Sequence, residues 1–275
     1  MESQSIIFTD THAHLDFLDF ADELSEVVEQ AGKAGIHRIV SIGTDLESSR
    51  RAIGLAERFQ GVYVAVGWHP SNVESAPEDV RPELMELGRH PKVVAIGETG
   101  LDYYRLPSTT PGRTIEENEG YKIRQAKLFD QHLEVAAALG LNCVIHQRQA
   151  AFDTIQQMLP YADRVRGVFH CFVDTPEFMR QVVEMGSLVS FTGIITFKNA
   201  VSVRETLKET ALEDLMLETD CPYLAPVPYR GKRAEPAYVR EIAKAVAEVK
   251  GVSLEELSRV TERTVRQFFK KLPSE

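Results

Sequence analysis

The chain has 275 residues, of which 43% are hydrophobic, and its 31 basic and 41 acidic residues give a formal net charge of −10. A protein that coats long duplex DNA through many phosphate contacts is usually basic, so this charge argues against that mode of binding but not against a pocket that holds one or two phosphates. No charged leader with an apolar core is present, and no apolar run approaches the roughly 18 residues of a membrane span, so we expect a cytoplasmic protein without membrane contact.

Short β-branched segments alternate with longer amphipathic segments along the chain. The spacing predicts a first strand at Ile6 and Ile7 and further strands at 38–43, 62–67, 93–98, 141–146, 167–172, 187–191 and 215–218. It predicts helices at 22–34, 48–59, 77–87, 116–139, 150–159, 176–185, 202–210, 235–249 and 253–271, with the helix at 77–87 broken or kinked near Pro82. This order predicts an α/β fold, a (β/α)8 TIM barrel that forms a single domain over residues 1–275. The main alternative, a doubly wound Rossmann-like sheet, is disfavoured because no G-x-G-x-x-G turn follows the first strand.

The polar segment after the first strand contains His12 and His14. Side chains alternate between the faces of an extended strand, so both imidazoles project from the same side, as two ligands of one metal ion should. Two surface histidines would give the same short pattern, but further histidines and acidic residues end other predicted strands. Reactive groups of such barrels collect at the carboxyl ends of the strands. The candidates at these positions are His12, His14, His69, Glu98, His146, His170 and Asp220.

Four histidines and two carboxylates exceed the three protein ligands that a single catalytic zinc ion uses. Such a set suits two divalent ions bridged by one carboxylate. Imidazole and carboxylate ligands together accept Zn²⁺, Mn²⁺ or Mg²⁺, so the ligand types leave the identity of the metal open.

The cysteines and the remaining histidines are assigned no chemistry. Three cysteines are too few for a disulfide framework, and we expect Cys143, Cys171 and Cys221 to be reduced and buried. Cys171 and Cys221 each lie one residue from a candidate ligand and would point to the opposite face of the strand. Three histidines that end no strand are interpreted as helix-surface or loop residues: His37, His90 and His132.

Taken together, these stretches resemble the TatD family of metal-dependent deoxyribonucleases, a branch of the amidohydrolase-like barrels. The matching segments are 10–16 (DTHAHLD), 66–70 (VGWHP), 96–105 (IGETGLDYYR), 144–148 (VIHQR), 169–172 (FHCF), 191–198 (FTGIITFK), 218–226 (ETDCPYLAP) and 228–233 (PYRGKR). The resemblance implies two divalent metal ions as cofactors. It places one ion among His12, His14, Glu98 and Asp220, and the other among Glu98, His146 and His170.

The same resemblance suggests roles for individual residues. Asp220 and Glu98 are the candidate catalytic residues, with Asp220 as the general base that takes a proton from an activated water. The candidate substrate contacts are His69, Arg148, Tyr103, Arg230, Lys232 and Arg233. His69 would donate to the scissile phosphate, the basic side chains would hold flanking phosphates, and Tyr103 would stack on a base. A solvated loop at 229–233 and simple packing of the tyrosine are the alternatives, and Asp10 is a candidate to orient the His12 ring.

The resemblance favours stepwise removal of nucleotides in the 3′ to 5′ direction from DNA ends, or from RNA ends, with no obligate protein partner inferred. The first rival is a hydrolase with the same site that acts on an ester or amide, such as the aminoacyl ester of a tRNA. Many such barrels bridge their ions with a carboxylated Lys on the fourth strand, whereas residues 93–100 contain Glu98 and no Lys. The second rival, a scaffold without activity, is disfavoured by the intact set of ligands.

Two departures from the family pattern are visible, together with one loop that bears on the shape of the cleft. The family commonly has Ser-Gly where this chain has Val173 and Asp174, and Asn where this chain has Ala234. The loop at 106–113 looks inserted. None of these positions is a candidate ligand, so we expect them to affect substrate contacts rather than metal binding.

Overall fold

The computed structural model of the protein describes residues 6–273, in which strands and helices alternate along the chain. The strands are β1 (Phe8–Ala13), β2 (Ile36–Ile42), β3 (Val62–Val66), β4 (Val93–Asp102), β5 (Asn142–Arg148), β6 (Gly167–Phe169), β7 (Leu188–Phe191) and β8 (Leu215–Leu217). The α-helices are α1 (Leu24–Lys33), α2 (Leu46–Arg58), α3 (Arg81–Gly88), α4 (Glu117–Leu139), α5 (Ala151–Met158), α6 (Pro176–Glu184), α7 (Val201–Glu209), α8 (Val239–Lys250) and α9 (Leu254–Phe268). No helix among these residues has the length and apolar character needed to cross a membrane.

The strands form one parallel sheet in sequence order, each paired with the next. The sheet closes on itself where Ala13 of β1 forms a bridge with Cys221, just after β8. His14 N donates to Cys221 O at 2.8 Å and Asp220 N donates to His12 O at 2.9 Å across the same seam. This closed, sequential order confirms the predicted (β/α)8 barrel and excludes the doubly wound sheet, whose strand order reverses.

Apolar side chains fill the barrel and close its amino end. Alternate residues such as Val40 and Ile42 of β2 point inward and share one cluster with Phe268 and Phe269 at the end of α9. Asn142, the first residue of β5, donates from Nδ2 to Phe268 O at 2.7 Å, which fixes the end of α9 beneath the strands. The carboxyl end of the barrel is therefore the end that remains for polar groups.

Strand β4 contains one extra residue relative to β5. Ile96 pairs with Cys143 and Thr99 pairs with Ile145, so three residue steps on β4 match two on β5. Gly97 within this bulge has a φ of 144°, and a Cβ there would lie 2.6 Å from Val144 O, so the bulge requires glycine. Bulges beside functional sites re-aim side chains. Here the bulge consists of Gly97 and Glu98, which lie opposite Val144.

Several element boundaries differ from the sequence predictions. The helix predicted at 77–87 begins only at Arg81, because Pro82 lies in its first turn, where its missing N–H costs no hydrogen bond. The next strand, β4, continues beyond the predicted end at Glu98 to Asp102. The prediction that all three cysteines are buried is wrong for Cys171, which is partly exposed.

Candidate metal centre

The predicted ligands meet at the carboxyl end of the barrel around the buried carboxylate of Glu98, which is 2% exposed. Two imidazoles from β1 and its end approach one oxygen, with His12 Nε2 at 3.4 Å and His14 Nε2 at 3.9 Å from Oε2. His146 Nδ1 at 3.0 Å and His170 Nε2 at 2.9 Å approach the other oxygen, Oε1. The two oxygens of one carboxylate therefore face two different sets of imidazoles.

Asp220 belongs to the side of the centre that contains His12 and His14. Its Oδ1 lies 3.4 Å from His14 Nε2 and 3.7 Å from His12 Nε2. Asp220 has a φ of 60°, a left-handed conformation that Asp tolerates better than most residues. Asp220 lies at the seam between β8 and β1, where the barrel closes.

Three overlapping groups of side chains have ligand atoms within 4.8 Å of one another. They are His12, Glu98 and His170; His12, His14 and Asp220; and His69, Glu98 and His146. These groups contain all six ligands that the resemblance implies. They differ from the implied sets in two respects, because His170 is grouped with His12 and because His69 is part of the cluster.

Electrostatics keep both carboxylates ionised. Burial acts to raise the pKa of Glu98, but the nearby imidazoles, His170 first, outweigh it and hold that pKa well below its usual value. For Asp220 burial also acts upward, and the hydrogen bond with His14 leads the interactions that lower its pKa overall. The centre is therefore an anionic pair surrounded by imidazoles.

The donor set fits divalent cations. Neither ring nitrogen of His12 has a hydrogen-bond partner among residues 6–273, although both are buried. The His12 ring stacks on His170 with centroids 4.0 Å apart, which holds it in place without using its nitrogens. An unpaired buried nitrogen is costly unless something binds it. Imidazole and carboxylate donors of this kind are ordinary ligands of Zn²⁺ and Mn²⁺.

Asp102, which the sequence analysis missed, fixes the tautomer of His146. Its Oδ2 accepts from His146 Nε2 at 3.1 Å, and its Oδ1 accepts from the backbone N–H groups of Tyr104 and Arg105, each at 2.9 Å. Asp102 thus holds a proton on Nε2 of His146 and turns Nδ1 toward Glu98, where the lone pair of Nδ1 would be available to a bound metal ion. The signal was present, because residues 98 and 102 share a strand face, but the predicted strand stopped at Glu98.

His69 has the opposite tautomer. Its Nδ1 accepts from Ser71 N at 3.0 Å, so the neutral ring carries its proton on Nε2, which lies 3.4 Å from Glu98 Oε1. Burial lowers the pKa of His69 and keeps the ring neutral. A ring with this tautomer presents a donor rather than a lone pair to the centre. The geometry therefore agrees with the predicted role as a donor and argues against His69 as a metal ligand.

Two sequence expectations about supporting residues are wrong. Asp10 does not reach the ring of His12. Its carboxylate accepts from Thr219 Oγ1 at 2.6 Å, from Thr219 N at 3.0 Å and from the backbone N of His12 at 3.3 Å. His132 is not a surface or loop residue but is 0% exposed, since it lies on the inner face of α4 and accepts from Trp68 N at 2.9 Å.

Three predicted phosphate contacts lie at the carboxyl end of the barrel: Arg148 is the last residue of β5, and Arg230 and Lys232 lie in the segment between β8 and α8. The guanidinium of Arg148 lies 3.7 Å from the ring centroid of Tyr104, and that of Arg230 lies 4.2 Å from the ring centroid of Phe197. Lys232 is exposed. Their contact with substrate stays a prediction.

Two other predicted contacts are already engaged by the protein. Arg233 Nη2 lies 2.6 Å from Glu23 Oε2 and 3.0 Å from Glu235 Oε1. The hydroxyl of Tyr103 donates to Asp153 Oδ2 at 2.8 Å. A substrate would have to compete with these bonds, which makes both side chains weaker candidates than Arg148 or Arg230.

Comparisons with known proteins agree with the geometry. The model of a family described as TatD related DNase matches residues 9–270. An uncharacterized metal-dependent hydrolase of Bacillus subtilis (strain 168), YabD, is 37% identical over 262 residues, which cover 95% of this chain and 98% of that protein. A protein of Klebsiella pneumoniae (strain 342) named 3′-5′ ssDNA/RNA exonuclease TatD is 31% identical over 266 residues, covering 94% of this chain and 97% of that protein.

A solved structure extends the similarity to the whole described barrel. The crystal structure of YjjV, a TatD homologue from Escherichia coli K12, superimposes with a TM-score of 0.88 at 26% identity. The match covers 98% of this chain and 100% of that one.

Proposed function

The chain belongs to the TatD related DNase family, and from that premise we propose that it is a 3′ to 5′ exonuclease that acts on single-stranded DNA or RNA ends. The family and the named relatives make it a metal-dependent hydrolase. Beyond this we propose that the enzyme cleaves a phosphodiester bond and works from the 3′ end. We also propose that two metal ions take part and that a single domain performs the reaction.

The observation that carries the proposal is the position of Glu98 between two sets of imidazoles. Its Oε2 lies 3.4 Å from His12 Nε2, and its Oε1 lies 2.9 Å from His170 Nε2 and 3.0 Å from His146 Nδ1. A carboxylate with this surrounding suits the bridge between two ions. His12, His14 and Asp220 would hold one ion with Glu98, and His146 and His170 would hold the other. Divalent ions bound there would polarise a phosphoryl oxygen and lower the pKa of a water molecule.

Asp220 is the best-placed proton acceptor. It is ionised at neutral pH because the hydrogen bond to His14 and the neighbouring imidazoles lower its pKa despite burial. It is partly exposed at the mouth, with 15% of its side chain accessible, whereas Glu98 is enclosed at 2%. Asp220 can therefore take the proton of a water that enters from the mouth and attacks phosphorus, while the sugar oxygen leaves.

His69 supplies a hydrogen bond to the substrate. Its Nδ1 is occupied by Ser71 N, so its Nε2–H is the only donor that the ring has to offer. The side chain is 14% exposed, more than His12 or His14. A donor aimed at the place where negative charge increases stabilises the transition state. Arg148, at the end of β5, and Arg230, in the segment after β8, would hold flanking phosphates.

Action on ends rather than along a duplex agrees with the charge of the protein. A net charge of −10 opposes the many simultaneous phosphate contacts that duplex binding requires. The Klebsiella relative is named as an exonuclease on single strands of both DNA and RNA.

Cleavage of a single-stranded oligonucleotide labelled at its 5′ end tests the proposal. Protein stripped with a chelator would receive Mg²⁺, Mn²⁺ or Zn²⁺, and products would be separated by length. We expect a metal-dependent ladder that shortens by one nucleotide at a time. A DNA and an RNA strand of the same sequence, each with a free or a blocked 3′ end, would establish the direction and the sugar preference.

Two results would contradict the proposal. Cleavage that begins at internal positions or persists with a blocked 3′ end would show an endonuclease. Protein that binds two metal ions per chain but cleaves neither strand would favour a hydrolase of esters or amides with the same centre.

A further inference from the structure

Helix α4 packs against the outside of the sheet. The buried side-chain amide of Gln125 on this helix binds backbone groups of residues that lie close to the metal centre. The side chain is 0% exposed. Its Oε1 accepts from Asp102 N at 3.0 Å, and its Nε2 donates to Asp102 O at 3.1 Å and to Pro70 O at 3.2 Å. Both protons of the amide and its oxygen are therefore used. All three partners are backbone groups, two of them at the end of β4 and one in the segment that follows β3.

The strand lengths explain why an amide is needed there. β4 continues to Asp102, which pairs with Arg148 of β5, whereas β3 on its other side ends at Val66. The edge of β4 that faces β3 has thus lost its neighbour at Asp102. Buried backbone groups need partners. The amide of Gln125 replaces the missing strand, because it accepts from the N–H and donates to the C=O of the same residue.

The two segments that Gln125 joins each hold an imidazole of the centre. Asp102 accepts from Nε2 of His146 at 3.1 Å and so directs Nδ1 of that ring to Glu98. Pro70 directly follows His69, whose Nε2 lies 3.2 Å from His146 Nδ1. One amide therefore fixes how the His146 ligand and the His69 donor lie relative to each other.

Neighbouring side chains of α4 support the same segment. The hydroxyl of Tyr121 donates to Ser71 O at 3.1 Å, and His132 accepts from Trp68 N at 2.9 Å. With Gln125 they bind backbone groups on both sides of His69. Gln125 differs from them in that it alone of the three also binds Asp102, and through it His146.

We propose that Gln125 is a positioning residue of the metal centre, which sets the geometry of His146 and His69 without contacting metal or substrate. The inference rests on the proposed function only in so far as the centre binds divalent ions. An apolar side chain of equal length would leave the N–H and C=O of Asp102 unpaired, and Pro70 O would retain only the long hydrogen bond from the Tyr121 hydroxyl at 3.5 Å. Asp102 would then move to find other partners. His146 would then lose its fixed tautomer.

The test compares Gln125→Met with Gln131→Met in the full chain. Gln131 is a matched control because it lies on the same helix, is 5% exposed, accepts from Val80 N at 2.9 Å and donates to Glu78 O at 2.8 Å, remote from the centre. Metal-stripped proteins would be titrated with Co²⁺ and with Zn²⁺, and each would be unfolded in urea. We expect Gln125→Met to weaken metal binding by about tenfold, and Gln131→Met to leave it within about twofold at a similar loss of stability.

If Gln125→Met binds metal as tightly as the wild type, or if both variants lose the same affinity, the inference is overturned and Gln125 is a structural residue. The number of ions bound reports the folded fraction, while the dissociation constant reports the geometry, so partial unfolding does not mimic the expected result. If Gln125→Met does not fold, Gln125→Glu takes its place, since it retains the acceptor for Asp102 N–H and loses both donors. Failure of the wild type to cleave nucleic acid would contradict the proposed function and would not alter this comparison of metal affinities.

Discussion

The two ends of the barrel use buried residues for opposite purposes. At the amino end, Phe268, the last residue of α9, and Phe269 pack on inward-pointing strand residues, and the buried carboxylate of Glu262 pairs with Arg38 at 2.9 Å. At the carboxyl end, Glu98 is also buried but is surrounded by imidazoles instead of a guanidinium. One end pairs its carboxylate with a guanidinium, and the other surrounds its carboxylate with groups that can bind metal.

This difference shows where stability and chemistry are located. Apolar burial at the amino end stabilises the fold in proportion to the area removed from water. A buried carboxylate at the carboxyl end costs free energy that its neighbours must offset. The apolar packing at the amino end therefore offsets part of the cost of the buried carboxylate at the carboxyl end.

The largest expected effect comes from making the same substitution at both ends. Glu98→Gln removes the charge that joins the two halves of the centre, so we expect a loss of activity of about a thousandfold or more, since metal assistance contributes several kcal/mol. Glu262→Gln should retain activity but destabilise the fold by about 1–3 kcal/mol, because the partner of Arg38 loses its charge. Single-turnover cleavage and urea unfolding of both variants measure the two effects. Activity retained in Glu98→Gln would refute the two-metal arrangement.

Truncation at the packed end is expected to affect only stability. Phe268 is 0% exposed, and Phe268→Ala should lower the free energy of unfolding by about 3–5 kcal/mol. The metal affinity of the folded fraction should stay unchanged, because the cavity lies at the opposite end of the strands from Glu98. Phe152→Ala, at a side chain that is 74% exposed, is the control for loss of an aromatic ring. A change in metal affinity in Phe268→Ala would show that the two ends are coupled.

The sequence was sufficient to predict the barrel and to indicate which side chains gather at its carboxyl end, for one shared reason. Both depend on local patterns: alternation along a strand places His12 and His14 on one side, and chain order places strand ends together. The supporting residues depend on distant backbone groups instead. Gln125 and His132 sit on a helix whose inner face looks like ordinary core, and only the observed ends of β3 and β4 show that unpaired backbone groups lie opposite them.

Sequence patterns also did not predict which nitrogen of each ring faces the centre. His69 and His146 both end strands and look equivalent in the sequence. Their tautomers differ because Ser71 N occupies Nδ1 of one ring and Asp102 occupies Nε2 of the other. The proposed donor, His69, and the proposed ligand, His146, are thus distinguished by hydrogen bonds to Ser71 N and to Asp102, which no spacing of residue types reveals.

The pH dependence of stability isolates the contribution of His132, the residue of α4 that accepts a hydrogen bond from Trp68 N just after β3. Burial lowers the pKa of His132 from 6.5 to about 4, so the unfolded chain binds this proton between those pH values and the folded chain does not. The resulting contribution of His132 to the free energy of unfolding is fully present above pH 6.5 and is lost as the pH falls toward 4. The loss amounts to about 3 kcal/mol, at about 1.36 kcal/mol per pKa unit. Urea unfolding of the wild type and of His132→Gln between pH 4 and 8 measures it. We expect the difference between the two curves to shrink on acidification, and parallel curves would refute the assignment.

The smallest expected effect concerns a single proton at the carboxyl end. In Asp102→Asn the amide oxygen can still accept from Tyr104 N, but the amide nitrogen is a donor and cannot accept from His146 Nε2. The proton would move to Nδ1, the nitrogen that faces Glu98, and metal affinity should fall by about 10- to 100-fold. Asp153→Asn is the matched control, because that carboxylate accepts from Tyr103 and contacts no imidazole of the centre. Isothermal titration with Zn²⁺ would compare the two, and NMR of the ring nitrogens would report the tautomer directly. Unchanged metal affinity with the proton moved to Nδ1 would mean that His146 is not a metal ligand. Glu98 and His170 would then be the only proposed ligands left for the second ion.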